Sequence, residues 1–327
     1  MNRKVVICGA GFLVFHEFTS NVARAICGAT ANNRVVQLAS RHPNHVHETI
    51  QSSLNEEHKS RSSLVLPISV DITDPSTLTP ALQDASVVIS LVGILQGKPE
   101  DFFRIQLHGA ENVAKAAKAA GAKLIHISAI GADPSGSLPY EKTKGLAEKS
   151  VLQICKDATI IRPSIVFGPG DSFFTRFAKL SAILPFMPVF GDGSTKFQPV
   201  FVGDIARAVE IISRNDPDIR KMVDGKVLEA GGPDVFTYRQ IMELVLKYTG
   251  RTRTIIPLPF AIGKLQGAIL EQLPQNIFTL TRDQVEQLKK DNVVTASQVD
   301  GISFEGLLKK FSSDGLTSVH EVLPKYL

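Results

Sequence analysis

The chain has 327 residues, a net charge of +4, 43% hydrophobic residues and 21% charged residues. This is the make-up of a globular chain long enough for one large domain and a second lobe. The small net charge, with dispersed basic residues and no interleaved aromatics, argues against nucleic acid as a partner.

Lys4-Val5-Val6-Ile7-Cys8 is a short β-branched run, the pattern of a buried parallel strand. Gly9 and Gly11 follow it, and a helical pattern begins near Asn21. Strand, glycine turn and helix are the setting of a dinucleotide fingerprint. The glycines let the backbone approach a pyrophosphate, which sits on amides at the helix N-terminus. Gly9, Gly11, Phe12 and Leu13 are the candidate contacts, with an ordinary βα turn as the alternative. The second strand, Arg34 to Ala39, runs into Ser40 and Arg41. An acid at this place accepts bonds from ribose hydroxyls, whereas a guanidinium suits the adenosine 2′-phosphate. NADPH is therefore favoured, with NAD(H) second.

Further strands are expected to begin near Leu64, Val87, Leu124 and Thr159. Residues 48–63 are polar and serine-rich and read as a surface excursion. Residues 110–120 are strongly helical and end at Gly121. In Pro139-Tyr140-Glu141-Lys142-Thr143-Lys144, Tyr140 and Lys144 lie one helical turn apart on one face. A lysine there lowers the pKa of the phenol and holds a ribose hydroxyl, so the tyrosine can act as general acid or base. Strand and helix alternate to about residue 167, which predicts an α/β fold with a doubly wound parallel sheet. The expected domains are 1–168, binding NAD(P), and 169–327, a smaller α/β lobe with segments returning to the first.

These motifs together resemble the short-chain dehydrogenase/reductase superfamily, in its extended and atypical branch, from residue 4 to about 270. Val87–Gly93 resembles the fourth strand and its following glycine, which makes Gly93 a cofactor contact. Gly109-Ala110-Glu111-Asn112-Val113 resembles the Gly-Thr-x-Asn-Val segment, and Leu124–Ser128 the fifth strand ending at the active-site serine. Arg162-Pro163-Ser164 through Gly170 resembles the segment that covers the nicotinamide, and implies contacts from Pro163 and Ser164. Val200–Ala208 resembles the Val-x-Val-x-Asp-Val-Ala motif. Asp71 stands where the fold contacts the adenine. The resemblance implies Tyr140, Lys144 and Ser128 as the catalytic set.

Within that branch, residues 125–128, 173–177 and 196–204 are similar to one subfamily. It contains the nucleotide-binding accessory subunit of mitochondrial complex I and a fungal protein linked to coenzyme Q synthesis. Its best-known members bind NADPH without established turnover. The resemblance thus implies a bound nucleotide more strongly than it implies catalysis, and whether the chain is an enzyme stays open. It also implies a mitochondrial location on the matrix side of the inner membrane, with protein partners there. A cleavable presequence is not visible before the first strand.

Two departures from the pattern stand out. Cys8 and Val14 occupy places where the fingerprint carries glycine. Val14–Thr19 reads as an insertion of about six residues before the helix, either a loop or a translated remnant of an unspliced segment. At the fifth strand the run is Ser128-Ala129-Ile130 where a serine pair is usual.

Residues 184–193 are rich in proline and phenylalanine. With Phe173, Phe174 and Phe177 they form either an apolar wall for a lipid-like group or a packed aromatic core. A helix is expected over 237–250 with Thr237 as N-cap. Residues 258–270, apolar with small residues, suit either a core helix or a contact with a partner helix or membrane surface. Thr281 starts another helix, and 304–327 is a short amphipathic element. Cys8, Cys27 and Cys155 have no metal-like spacing or pairing pattern, and the eight histidines form no ligand motif, so neither disulfide nor metal is expected.

Overall fold

The computed structural model describes residues 3–9, 13–29, 34–54, 63–272, 274, 277–295, 302–312 and 314–327, with 13–16 described by their backbone. The chain divides into two compact units. The first contains Met1–Pro163, Val202–Ala230 and Thr295–Gly315; the second contains Ser164–Phe201, Gly231–Val294 and Leu316–Leu327.

In the first unit the elements follow in the order β1 (Arg3–Cys8), α1 (Leu13–Gly28), β2 (Arg34–Ser40), α2 (Asn44–Ser53), β3 (Ile68–Ser69), α3 (Pro75–Leu82) and β4 (Ala85–Ser90). A π-helical segment, Phe102–His108, then runs directly into α4 (Gly109–Ala119). After it come β5 (Lys123–Ile127), α5 (Pro139–Ile154) and β6 (Thr159–Pro163). Among the described residues seven parallel strands form one sheet in the order Val227–Ala230, β6, β5, β4, β1, β2, β3. The strand order reverses between β1 and β4. Such a reversal opens a crevice at the carboxyl ends of the two strands, where open α/β sheets bind ligands.

The sequence accounts for these positions. β1 is central, and Val5 faces Val36 on one side and Val87 on the other, all within the sheet's apolar interior. Its β-branched run suits a strand covered on both faces. Helix α4 stops as its sequence requires: Gly121 takes φ +67°, the amide of Ala122 reaches Ala117 O, and that of Gly121 reaches Lys118 O. Asp74 caps α3 by accepting from the Ser76 amide. Helix α5 is pressed against the preceding loop at Gly145, where a Cβ would lie 2.3 Å from Pro134 N.

Three expectations are corrected. Helix α1 begins at Leu13, not near Asn21, and takes Val14–Thr19 into its first turns. The insertion is thus carried as helix, with Phe18, Val22, Ala23 and Ile26 forming its buried face. The third strand does not begin at Leu64. That residue makes an isolated bridge to Val36, and pairing resumes only at Ile68, because Pro67 between them has no amide to donate. The polar stretch from residue 48 is helical to Ser53, since Val46, His47 and Ile50 give α2 a buried face at helical spacing.

The second unit is built from short strand pairs and helices. Val166–Phe167 pairs with Val200–Phe201, Phe186–Phe190 with Thr254–Leu258, and Lys196–Phe197 with Phe236–Thr237. The phenylalanines form a packed core. Phe173 meets Phe174 and Phe177 edge to face at centroid distances of 5.3 and 5.1 Å, and Phe167 and Phe174 are fully buried. Thr237 caps helix Tyr238–Tyr248 in a capping box with Gln240, and Thr281 caps Arg282–Gln287 with Gln284. Helix Phe260–Leu270 is inside out. Its buried residues are Gly263 and Gly267, whereas Ile262, Leu265 and Ile269 are 47%, 66% and 57% exposed. It is not a core helix. Among the described residues no helix is long and apolar enough to cross a membrane.

Candidate active site

Gly9 follows β1 with φ +96°, and its amide donates to Ala39 O at 3.0 Å. A Cβ there would lie 3.1 Å from the carbonyl carbon and oxygen of Leu91, so only glycine lets β1 turn out beside the end of β4. Gly11 and Phe12 lie outside the described residues; Leu13 is the first residue of α1. Cys8 is fully buried, which pushes its thiol up to about 12 and leaves it inert.

At the end of β2, Ser40 is buried and its hydroxyl has no hydrogen-bond partner among the described residues. Arg41 is exposed beside it. Asp71 accepts bonds from the amide and hydroxyl of Thr73, which hold its carboxyl below the usual range; Arg41 and Arg104 add to this from nearby. The left-handed backbone at Gly9, the Ser40 hydroxyl, without a partner among the described residues, and the Arg41 guanidinium fit the phosphates and ribose of a nucleotide.

The other end of the crevice is made by β4, β5 and α5. Proline at the first helical position, Pro139, fixes the start of α5 and so the places of Tyr140 and Lys144. Tyr140 is half-buried, with Phe102 edge-on to its ring at 6.3 Å, and burial pushes its phenol up to about 12. Lys144 is buried and donates to Val92 O at 3.0 Å and Ile127 O at 3.2 Å. Burial lowers its pKa to about 8, against the opposing charge of Glu148 one turn on. Glu148 is itself held by two bonds from Arg162, at 2.9 and 2.6 Å. Gly93 makes room for the ammonium: a Cβ there would sit 3.1 Å from Lys144 Nζ.

Ser128 follows β5 with its amide on Ile161 O, and its buried hydroxyl has no partner among the described residues. Pro163 ends β6, where its carbonyl accepts from the Ile130 amide. Ser164 belongs to the second unit, and its hydroxyl is engaged by Asn292, 2.6 Å from Oδ1.

Gln106 escapes sequence reading. It is buried in the π-helical segment, accepts from the Ile94 amide at 3.4 Å and donates to Thr143 Oγ1 at 3.0 Å. It therefore ties the loop after β4 to the helix that carries Tyr140 and Lys144. Its one signal is a place three residues before Gly109 in the Gly-x-x-Asn-Val segment.

A parallel sheet that reverses beside a glycine turn, with a Tyr-x-x-x-Lys helix next to the reversal, defines a Rossmann-type nucleotide-binding protein of the extended short-chain dehydrogenase/reductase kind. Residues 20–223 match the NAD dependent epimerase/dehydratase family, and the chain belongs to that family. Its cofactor class is accordingly a nicotinamide nucleotide. The mitochondrial NADH dehydrogenase (ubiquinone) 1 alpha subcomplex subunit 9 of Arabidopsis thaliana is 31% identical to it, over 71% of this chain and 58% of that protein. A ceramide reductase of Caulobacter vibrioides is 28% identical over 58% of each chain. Among solved structures, the triphenylmethane reductase of Citrobacter sp., complexed with NADP(H), superposes with a TM-score of 0.71 at 15% identity, covering 99% of this chain and 100% of the other. The chain spans about three fifths of the length of the curated relatives it matches.

Proposed function

We propose that this is a mitochondrial NADPH-binding protein, an accessory or assembly component of respiratory complex I or of coenzyme Q synthesis, on the matrix side of the inner membrane. The observation that carries the reading is the state of the Tyr-Lys pair. The ammonium of Lys144 already donates to two backbone carbonyls, and burial pushes the Tyr140 phenol up to about 12, so the phenol is not poised for proton transfer near neutrality. The likeness to a complex I subunit supports the same reading. A nicotinamide nucleotide bound there supplies a hydride donor or acceptor. Gly9 and the start of α1 hold the pyrophosphate, Ser40 and Arg41 the 2′-phosphate, Asp71 the adenine side, and Lys144 the ribose. Gly93 and Pro163 complete the reading at the nicotinamide end. Binding then stabilises the fold by mass action. The outward apolar stripe of helix Phe260–Leu270 supports contact with a protein partner or a membrane surface.

A second reading is an active NADPH-dependent reductase, dehydrogenase or epimerase. It is favoured by Tyr140 and Lys144 on one helix face and by the reductase name of the Caulobacter vibrioides relative. In it Tyr140 is the acid/base, Lys144 lowers the phenol's pKa and Ser128 polarises a carbonyl.

Titration of the purified protein with NADPH and NADH, followed by thermal unfolding, tests the site. NADPH at a hundredfold excess over its Kd should add about 2.7 kcal/mol. Arg41→Ala should cut the preference for NADPH about tenfold and spare NADH. No response to either nucleotide sinks the site, and NADPH consumption lost in Tyr140→Phe would favour the second reading.

A further inference from the structure

We propose that Ser90 and His126 form a side-chain staple that positions Lys144 by fixing the separation of the two carbonyls on which its ammonium rests. Ser90 and His126 face each other across β4 and β5 and are the last residue pair in that parallel ladder. His126 Nδ1 and Ser90 Oγ lie 3.1 Å apart, and both residues are 1% exposed. Just beyond this pair the strand ends supply the seat of Lys144: Ile127 O from β5 and Val92 O from the β4 side. The backbone ladder ends at this pair, and the side-chain bond adds a tie between the strands at its last rung.

The choice of residues fits that task. A bond beneath a buried ammonium must carry no charge of its own, because a second cation there would expel the proton from the lysine. The imidazole meets this condition: burial, then the Lys144 charge, lower its pKa to about 3, so it stays neutral through the working range. The other ionisable groups around Lys144 are Tyr140 and Glu148 on α5, and Arg162 on β6, which is paired with Glu148. None of them touches the two carbonyls in a hydrogen bond.

This inference deepens the nucleotide-site reading, since a positioned Lys144 matters only if that residue holds a ribose. Its test does not need the nucleotide. The full chain, nucleotide-free and labelled with 13Cε-lysine, is titrated by NMR, with Lys144→Arg used to assign the resonance. The midpoint of the unaltered protein should lie near 8. Ser90→Ala loosens the seat, weakens the bonds to the ammonium and should lower the midpoint by about one pH unit. His126→Leu should lower it too, and the double variant should lower it no further than His126→Leu alone, because one staple is lost in each case. His126→Asn, which keeps a hydrogen-bonding group within reach of Ser90, should restore much of the shift. If Ser90→Ala does not fold, Ser90→Cys replaces it, near in size and a poor hydrogen bonder. A midpoint unchanged or raised in the Ser90 variant, or shifts that add in the double variant, overturns the staple. NADPH titration of the same samples separates the two ideas: a staple-dependent midpoint without nucleotide binding removes the site reading and keeps the staple.

Discussion

The β1 end of the crevice and the β4–β5 end differ in how far their buried polar groups are bonded. In the first turns of α1, Thr19 and Ser20 are fully buried and their hydroxyls find no partner among the described residues. Between β4, β5 and α5, Lys144, Gln106, Thr143, Ser90 and His126 are buried in a network where each makes at least one directed bond. Unpaired buried hydroxyls cost stability, whereas directed bonds hold the network in one arrangement, although His126 Nε2 and the Ser128 hydroxyl find no partner among the described residues. The difference follows the residue pattern. Val14–Thr19 occupies a place where the fingerprint ordinarily passes straight into its helix, and the helix has absorbed the segment without supplying partners for all its polar groups. The network end departs from the family pattern chiefly at Ser128.

This contrast can be broken most severely at Gly145. Gly145→Ala puts a Cβ within 2.3–2.6 Å of Asp133 and Pro134 and should push α5 off its loop, losing about 3 kcal/mol in urea unfolding together with the nucleotide response. A loss under about 0.5 kcal/mol would show that the loop yields and that the network end is less rigid than its contacts imply.

An effect of similar size should appear with pH. The folded-state pKa of Lys144 is depressed to about 8 from 10.5, so between these values the unfolded chain binds more protons than the folded one. Stability from this residue therefore rises with pH from 8 to 10.5, by up to about 3 kcal/mol, and is lowest where the lysine is charged. Lys144→Met should flatten that stretch of the stability-pH curve measured by chemical unfolding. An unchanged curve would mean the lysine is wetter than its burial suggests.

The smallest effect is expected at the other end. Thr19→Val and Ser20→Ala remove hydroxyls that have lost water and gained nothing, and each should stabilise by about 1 kcal/mol in thermal unfolding. Destabilisation by either would show that these hydroxyls are satisfied and would erase the contrast.

The family motifs made the sheet legible because each is a local pattern. The β-branched run of β1, the glycine ending α4 and the proline opening α5 dictate their own geometry. Tyr140 and Lys144 were visible for the same reason, since helical spacing alone puts them on one face. The polar contacts that seat Lys144 were not legible. Ser90 meets His126 only through the register of β4 with β5, and Gln106 meets Thr143 only through the packing of two helices. α2 was hidden by its polar composition, since three buried residues suffice to anchor it. β3 was misplaced because Pro67 breaks an otherwise strand-like run.

The π-helical segment Phe102–His108 has a consequence for how this chain tolerates insertions and deletions. A π turn is an α-helix with one residue too many. Deleting a single residue there would let ordinary helical bonding run through, so the helix itself would survive and even regularise. Every residue before the deletion would swing by about 100° around the axis. Phe102 would leave the Tyr140 ring, and any residue upstream of the cut would change the face it presents. Relatives one residue shorter in this segment should therefore pack their tyrosine differently, however similar the rest of the helix looks.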